Sequence, residues 1–288
     1  MVFGTWRILD DPETRDVEGL LRRLHACVEV GITTIDTAEI YGVYRVEEAL
    51  GAALAKDPVL REQLQIVSKC GIYIPCEYHP DRKTAFYNAT AARIVKSAEK
   101  SLRFLGTDYL DLLLVHRPDW LTSVDETAEG LNQLLRDGKI RSAGVSNYSV
   151  SQMDALNSRM LEPLVTNQIE FSLLHMDPMT NGTLDHAQQH RYRPMAWSPL
   201  AQARLFDAEL ASSRRVQDVC SGLAAKYNGA TVDQLAYAWL LAHPAGVLPI
   251  IGTHKLERIR AAAAAPKIQL EREDWYALWT AAKGHAIP

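Results

Sequence analysis

Four residues in the first half of the chain carry groups that suit one another chemically. The run TTIDTAEIYG, Thr33 to Gly42, places a carboxylate, Asp36, at the end of a β-branched stretch and a phenol, Tyr41, on the loop beyond it. Lys69 closes the segment IVSK, and His116 follows the apolar run in LDLLLVHRP. A tyrosine ordinarily has a pKa of about 10, so it is a weak acid that can still donate a proton in a transition state. A nearby ammonium favours the phenolate and so lowers that pKa, and a carboxylate beside the lysine holds it charged and in place. Asp36, Lys69 and Tyr41 therefore read as one hydrogen-bonded unit, with His116 set to position or polarise a substrate oxygen. The unit suits protonation of an oxyanion as hydride arrives at a carbonyl carbon. Side chains cannot supply hydride, so this chemistry needs a cofactor.

Taken singly, each residue has a plainer reading. Asp36 caps a turn, Lys69 is solvated, and His116 is a satisfied core histidine. Their joint occurrence at consecutive strand ends favours one site. Tyr41 is the proton donor by its spacing from Asp36, while Tyr44 falls where the second helix should begin.

The elements that position these groups alternate. Short apolar runs read as buried strands: Ile66 to Val67, Leu110 to Val115, Ile140 to Val145, Leu164 to Thr166, Pro194 to Trp197 and Val247 to Ile251. Between them, apolar residues recur at helical spacing, as in Val17, Leu20, Leu21, Leu24 and Val28, or Ile94, Val95, Ala98, Leu102 and Leu105. Asp137-Gly138, Asn181-Gly182 and Asn228-Gly229 mark turns between units. Strand then helix, repeated, predicts parallel strands with crossover helices. A doubly wound sheet and a (β/α)8 TIM barrel both fit. The barrel is favoured because no GxGxxG follows the first strand and because 288 residues suit one barrel with a short helical tail. No linker or repeat interrupts the chain, so residues 1–288 read as a single domain, opening on a first strand at about residues 3 to 6. Barrel enzymes carry their chemistry at the C-terminal strand ends. The polar or aromatic residues expected there are Asp36, Lys69, His116, Ser146 with Asn147, Asn167 with Gln168, and Trp197.

Composition narrows the class further. A net charge of −4 is too mild to suggest nucleic acid or an anionic membrane as partner. The four cysteines form no CxxC pair, and no histidine or cysteine cluster completes a metal site around Cys70 and Cys76, so reduced thiols and no metal are expected. No apolar run has transmembrane length, and no signal-peptide pattern opens the chain. The expectation is a cytoplasmic protein acting on a small molecule, as a monomer or weak oligomer.

Together these segments resemble the aldo-keto reductase superfamily, in its NADPH-dependent bacterial branch. TTIDTAEIYG is similar to that family's Asp-Thr-Ala … Tyr-Gly segment, IVSK carries its strand-3 lysine and LDLLLVHRP its strand-4 histidine. GVSN, NQIEFS, MAWSPL and PIIGTHKLERI match further family segments in order, so the resemblance covers nearly the whole chain. It implies a (β/α)8 barrel that uses NADPH without a Rossmann fold, with Asp36, Tyr41, Lys69 and His116 as a catalytic tetrad. It implies that Ser146, Asn147 and Gln168 hold the nicotinamide carboxamide, with Thr5, Trp6 and Asp36 also among the cofactor-binding residues. Trp197 stands where the family commonly stacks a tyrosine on the nicotinamide. Ser198 and Leu200 fall in its pyrophosphate loop, and Gly252, Thr253, Lys255 and Arg258 in the segment holding the 2′-phosphate. Trp6, Tyr41, His116 and Trp120, with the aromatic-rich loop from Gly71 to Asn88, would line the substrate pocket. Two departures stand out. The family's N-terminal β-hairpin is missing, and Ala262 replaces the asparagine or glutamine that many members set against the adenine. The implied activity is reduction of an aldehyde or ketone to an alcohol. The rival is a cofactor-bound regulatory subunit of the same fold. A hydrolytic barrel would want paired carboxylates at strand ends, and Asp36 has no such partner.

Overall fold

The computed structural model describes residues 1–287. Eight strands form one closed parallel barrel: β1 (Val2–Gly4), β2 (Thr34–Asp36), β3 (Gln65–Cys70), β4 (Leu112–Val115), β5 (Ala143–Ser146), β6 (Asn167–Glu170), β7 (Met195–Trp197) and β8 (Leu248–Ile251). Each neighbours the next in sequence, and β8 lies beside β1. The main helices are α1 (Val17–Glu29), α2 (Val46–Lys56), α3 (Ala91–Leu105), α4 (Val124–Arg136), α5 (Val150–Asn157), α6 (Thr183–His190), α7 (Ala211–Leu223), α8 (Val232–Leu241), α9 (Leu256–Ala262) and α10 (Arg272–Lys283). The expected barrel is therefore the observed one. Among the described residues, no helix is long and apolar enough to cross a membrane.

The chain divides into two compact units, one running from Val2 to Gln168 and one from Ile169 onward with Met1. In the first, register carries the chemistry. Gly4 pairs with Asp36, Asp36 with Val67, Lys69 with Leu114, Val115 with Val145, and Ser146 with Gln168. These pairings bring the polar strand ends to one rim, as a staggered parallel barrel requires. β3 is buried on both faces from Ile66 to Cys70, the polar Ser68 and Lys69 included. Helix starts follow the sequence signals. Ser149 and Gln152 form a capping box at the head of α5: the Ser149 hydroxyl accepts from Gln152 N at 3.3 Å and Gln152 Oε1 from Ser149 N at 2.9 Å.

Among the boundaries that differ from expectation, three bear on the site. β1 is Val2–Gly4 rather than residues 3 to 6, although Thr5 N still donates to Asp36 O at 3.0 Å and its hydroxyl bonds the same carbonyl. Asn167 and Gln168 open β6 rather than end it, although pairing already begins where Val165 N donates to Ala143 O at 3.0 Å. The second long helix starts at Val46, not at Tyr44, because Gly42, Val43 and Tyr44 all take positive φ and reverse the chain first.

The buried stripe of α3 also differs from the apolar one read at helical spacing. Val95 and Leu102 are only half-buried, and Ser97 and Ser101 are buried instead. Ser101 Oγ donates to Glu47 Oε2 at 2.9 Å, and Ser68 Oγ of β3 donates to Glu47 Oε1 at 2.5 Å. Gly51 on α2 permits this closeness, since a Cβ there would lie 1.9 Å from Phe104 O.

Burial pushes the Glu47 carboxyl up to about 7, against the two serine hydrogen bonds and Lys100, with Glu39 adding to the rise. The consequence for stability has a definite sign. Below an ordinary carboxyl pKa the group is neutral in both the folded and unfolded chain. Between that value and about 7 only the unfolded chain ionises, so stability falls as pH rises, by at most about 3 kcal/mol. Glu47→Gln keeps an acceptor and removes this titration. Its urea midpoint should vary less between about pH 5 and 8 than that of the wild type. Equal pH dependence in both proteins would show that Glu47 titrates normally.

In the second unit, Trp239 of α8 stacks on Trp275 of α10 with centroids 4.8 Å apart. Each indole N–H donates to the other residue's carbonyl, at 3.1 and 3.0 Å. Stacking plus two satisfied indoles fixes α10 on α8. After β7 the backbone runs through positive φ at Ser198 and at Ala201, Gln202 and Ala203, which turns the chain sharply past Trp197.

Candidate active site

Asp36, Tyr41, Lys69 and His116 all lie in the Val2–Gln168 unit, and the fold brings them together. Asp36 ends β2 and is held by its backbone and by both carboxylate oxygens. Its carbonyl accepts from Thr5 N and from Thr5 Oγ1, each at 3.0 Å. Oδ1 accepts from Gln168 Nε2 at 2.7 Å, and Oδ2 from Lys69 Nζ at 2.8 Å. Lys69, in β3, is fully buried, and its ammonium spends all three donors: on Asp36, on Thr37 O at 2.7 Å and on Tyr41 Oη at 2.9 Å. A buried ammonium is tolerated only when paired and saturated in this way.

The Tyr41 hydroxyl accepts from Lys69, and its own proton goes to no other described residue. The His116 ring meets the Tyr41 ring edge to face, with centroids 6.0 Å apart. His116 N donates to Cys70 O at 2.9 Å, which anchors the backbone just past β4. Its Nδ1 is buried without a hydrogen-bond partner among the described residues. A phenol with an uncommitted proton and an imidazole with an uncommitted nitrogen thus share one corner of the rim. A carbonyl oxygen there could be met by the phenol, with the His116 ring beside it and Nδ1 enclosed by the protein.

Burial lowers the His116 pKa well below its ordinary value, and Lys69 and Arg117 lower it further. The imidazole is therefore neutral at physiological pH, a hydrogen-bonding group rather than an acid. For Lys69, burial pulls downward, but Asp36 and Tyr41 more than offset it, so the ammonium stays charged. Tyr41 departs from the sequence expectation. Lys69 does favour its phenolate, but burial opposes that more strongly and Asp36 adds to it, so the net shift is upward. Spacing alone shows the charge beside a phenol; the depth at which the phenol sits outweighs it.

Other expected residues are placed as follows. Ser146 Oγ donates to Gln168 O at 2.9 Å, and Asn147 Nδ2 donates to Ser146 Oγ at 2.7 Å, with Asn147 at φ +58°. Thr5 is fully buried and committed to Asp36. Trp6 is 55% exposed with the Arg7 guanidinium 4.9 Å from its ring, and Trp120 is 82% exposed, edge-on to Tyr87. In the second unit, Trp197 ends β7 half-buried, followed by half-buried Ser198 and Leu200. Thr253 Oγ1 accepts from Lys255 N at 3.3 Å, just before α9. Gly252, Lys255 and Arg258 are exposed, whereas Ala262 is buried and offers no surface.

Sequence reasoning missed the Gln168–Asp36 bond and the Thr37 carbonyl that receives Lys69. It also missed the role of Tyr44, whose hydroxyl accepts from Ile74 N and Arg82 Nη1. Nothing local signals these contacts: Gln168 is 132 positions from Asp36.

Residues 1–282 match the family model described as the aldo/keto reductase family. A 6-dehydroglucose reductase of Agrobacterium fabrum is 43% identical, over 100% of this chain and 95% of that one. An aldo/keto reductase from Klebsiella pneumoniae, solved in complex with NADP and acetate, is 33% identical with a TM-score of 0.77, over 96% of this chain and 89% of that one. A glycerol dehydrogenase from Gluconobacter oxydans is 28% identical with a TM-score of 0.84, over 99% of this chain and 91% of that one.

Proposed function

The chain belongs to the aldo/keto reductase family, and on that premise we propose that it reduces an aldehyde or ketone to an alcohol, with NADPH as reductant and Tyr41 as proton donor. The observation that carries this reading is the Tyr41 hydroxyl, half-buried, polarised by Lys69 and holding a proton uncommitted to any described residue beside a neutral His116. His116 orients the carbonyl oxygen. Tyr41 Oη delivers its proton as negative charge develops on that oxygen, and Lys69 stabilises the phenolate left behind. Asp36, fixed by Thr5 and Gln168, keeps Lys69 charged and aimed. When bound, a reduced nicotinamide supplies the hydride to the carbonyl carbon.

The residues present suit such a dinucleotide. His116 Nδ1 is an orphaned buried polar atom, and the Gly252 backbone has open space where a Cβ would stand. We assign Ser146, Asn147 and Gln168 to the carboxamide, Trp197 to the ring face, and Ser198 and Leu200 to the pyrophosphate. Gly252, Thr253, Lys255 and Arg258 fall to the 2′-phosphate. Arg258 is an exposed fork in the first turns of α9, where anions are favoured. Arg258→Met should weaken NADPH binding about ten- to a hundredfold and leave NADH nearly unchanged, since a charge-assisted contact contributes about 1.5–3 kcal/mol. Equal losses for both would make Arg258 a structural residue, and a native preference for NADH would remove the NADPH assignment.

The Agrobacterium relative is named for 6-dehydroglucose, so a sugar aldehyde heads the substrate list, ahead of nitrobenzaldehydes and dicarbonyls. The direct test is NADPH consumption with these carbonyls. No turnover with any of them would favour a non-catalytic, cofactor-bound role.

A further inference from the structure

The loop from Gly71 to Asn88 leaves β3 just after Lys69 and Cys70 and leads to α3. Its base is a two-stranded antiparallel ribbon, Ile72–Tyr73 against Phe86–Tyr87. Tyr87 reaches Trp120, with ring centroids 6.1 Å apart, and Phe86, Tyr87 and Trp120 are all exposed. Tyr73 Oη is hydrogen-bonded with Ser97 Oγ at 3.0 Å, and the far part of the loop is gripped by Tyr44, whose ring also meets His79 edge to face. The Tyr44 hydroxyl accepts from Ile74 N at 3.0 Å and from Arg82 Nη1 at 2.8 Å. Arg82 Nη1 also reaches Ile74 O at 3.3 Å, and its guanidinium lies over the rings of Tyr44 and Tyr73, 5.5 and 5.0 Å from their centroids. Tyr44 is buried and stands three residues past Tyr41, on the positive-φ reversal Gly42-Val43-Tyr44. Two non-glycine residues in that conformation are unfavourable, and persist only where surrounding contacts over-determine them.

We propose that Tyr44 is a positioning residue: its hydroxyl clasps the Gly71–Asn88 loop to the segment that carries Tyr41, and so sets the affinity for carbonyl substrates long enough to reach the Phe86–Tyr87–Trp120 wall. This rests on the reductase reading above. The Tyr44 hydroxyl is committed to the loop at 2.8 and 3.0 Å, while Lys69 bonds Tyr41, so the two phenols three residues apart have separate tasks. Without the Tyr44 oxygen, Ile74 N and Arg82 lose their shared acceptor. The loop then samples open forms, and a substrate that needs the wall binds only the closed fraction. A substrate too short to touch the wall is indifferent to the change.

The test compares Tyr44→Phe with wild type on 4-nitrobenzaldehyde, a long aromatic aldehyde chosen to span from Tyr41 toward the wall, and methylglyoxal, a short one. KM for 4-nitrobenzaldehyde should rise about three- to tenfold, the range expected for a lost hydrogen bond. KM for methylglyoxal and kcat for both should change less than about twofold, because the proton donor is untouched. Hydrogen exchange at the Ile74 amide should accelerate in the same variant. Arg82→Met, which leaves Tyr44 in place, should give the same KM split. An unchanged KM for 4-nitrobenzaldehyde despite faster Ile74 exchange overturns the proposal, as does a loss in kcat on the scale expected for Tyr41→Phe. The two failures are separable. A wild-type protein that turns over neither aldehyde defeats the reductase reading and this proposal with it, whereas normal wild-type turnover with no KM split defeats this proposal alone.

Discussion

Tyr41→Phe should lower kcat by about two to four orders of magnitude, the usual loss when a positioned general acid is removed. The substitution deletes only the hydroxyl. Its ring stays packed against His116, and Lys69 keeps Asp36 and the Thr37 carbonyl as acceptors. The fold and NADPH affinity should therefore survive, and the loss should sit in kcat rather than KM. Circular dichroism and NADPH titration would check the first point, and steady-state reduction the second. If Tyr44→Phe were the dead variant and Tyr41→Phe the active one, the proton donor would be misassigned. The structure gives the reason for expecting otherwise: the Tyr44 hydroxyl is occupied by the loop after β3, while that of Tyr41 receives, among the described residues, only Lys69.

Lys69→Met should also cripple reduction, by about a hundredfold or more, through a different route. Reduction requires protonated Tyr41, so activity holds at low pH and falls as pH rises through the Tyr41 pKa. Burial already raises that pKa, and Lys69 is the main group opposing the rise. Removing the ammonium should push the pKa higher still, so the alkaline fall should move to higher pH as the rate drops, because a weaker acid gives up its proton less readily. The same change leaves Asp36 buried with, among the described residues, only Gln168 on its carboxylate. Breaking a buried pair from one side costs about 3–5 kcal/mol, so the urea midpoint should fall as well. An unchanged rate and pH profile would mean that Lys69 serves packing alone.

Much of the site was legible because its signals are local. Asp36 and Tyr41 share one short loop, and their spacing separates Tyr41 from Tyr44. Lys69 and His116 each follow an apolar run whose length and flanks mark a strand, and strands in a parallel barrel end on a common rim. The exact ends of strands were less legible. Thr5 follows β1 in sequence, yet its amide and its hydroxyl both still bond the Asp36 carbonyl, and nothing in the run VFGTWR marks where the strand stops. The stripe of α3 misled for a related reason. Apolar periodicity cannot anticipate that Ser97 and Ser101 are buried, because what buries them is a carboxyl on another helix and a tyrosine on the loop after β3.

The sequence by itself determined the alternation that builds the barrel, the four groups gathered at its rim and their family, because pattern and spacing along the chain specify those. Tertiary structure decided the rest. It alone set Gln168 on Asp36 across 132 residues, and turned Tyr44 from a helix start into the clasp of a loop. It also settled the direction of the Tyr41 shift. The reason is physical. Desolvation depends on how many atoms surround a group in three dimensions, and long-range hydrogen bonds on where two distant backbones meet. Neither quantity is written in the local order of residues, whereas strand period, turn chemistry and the identity of the titrating groups are.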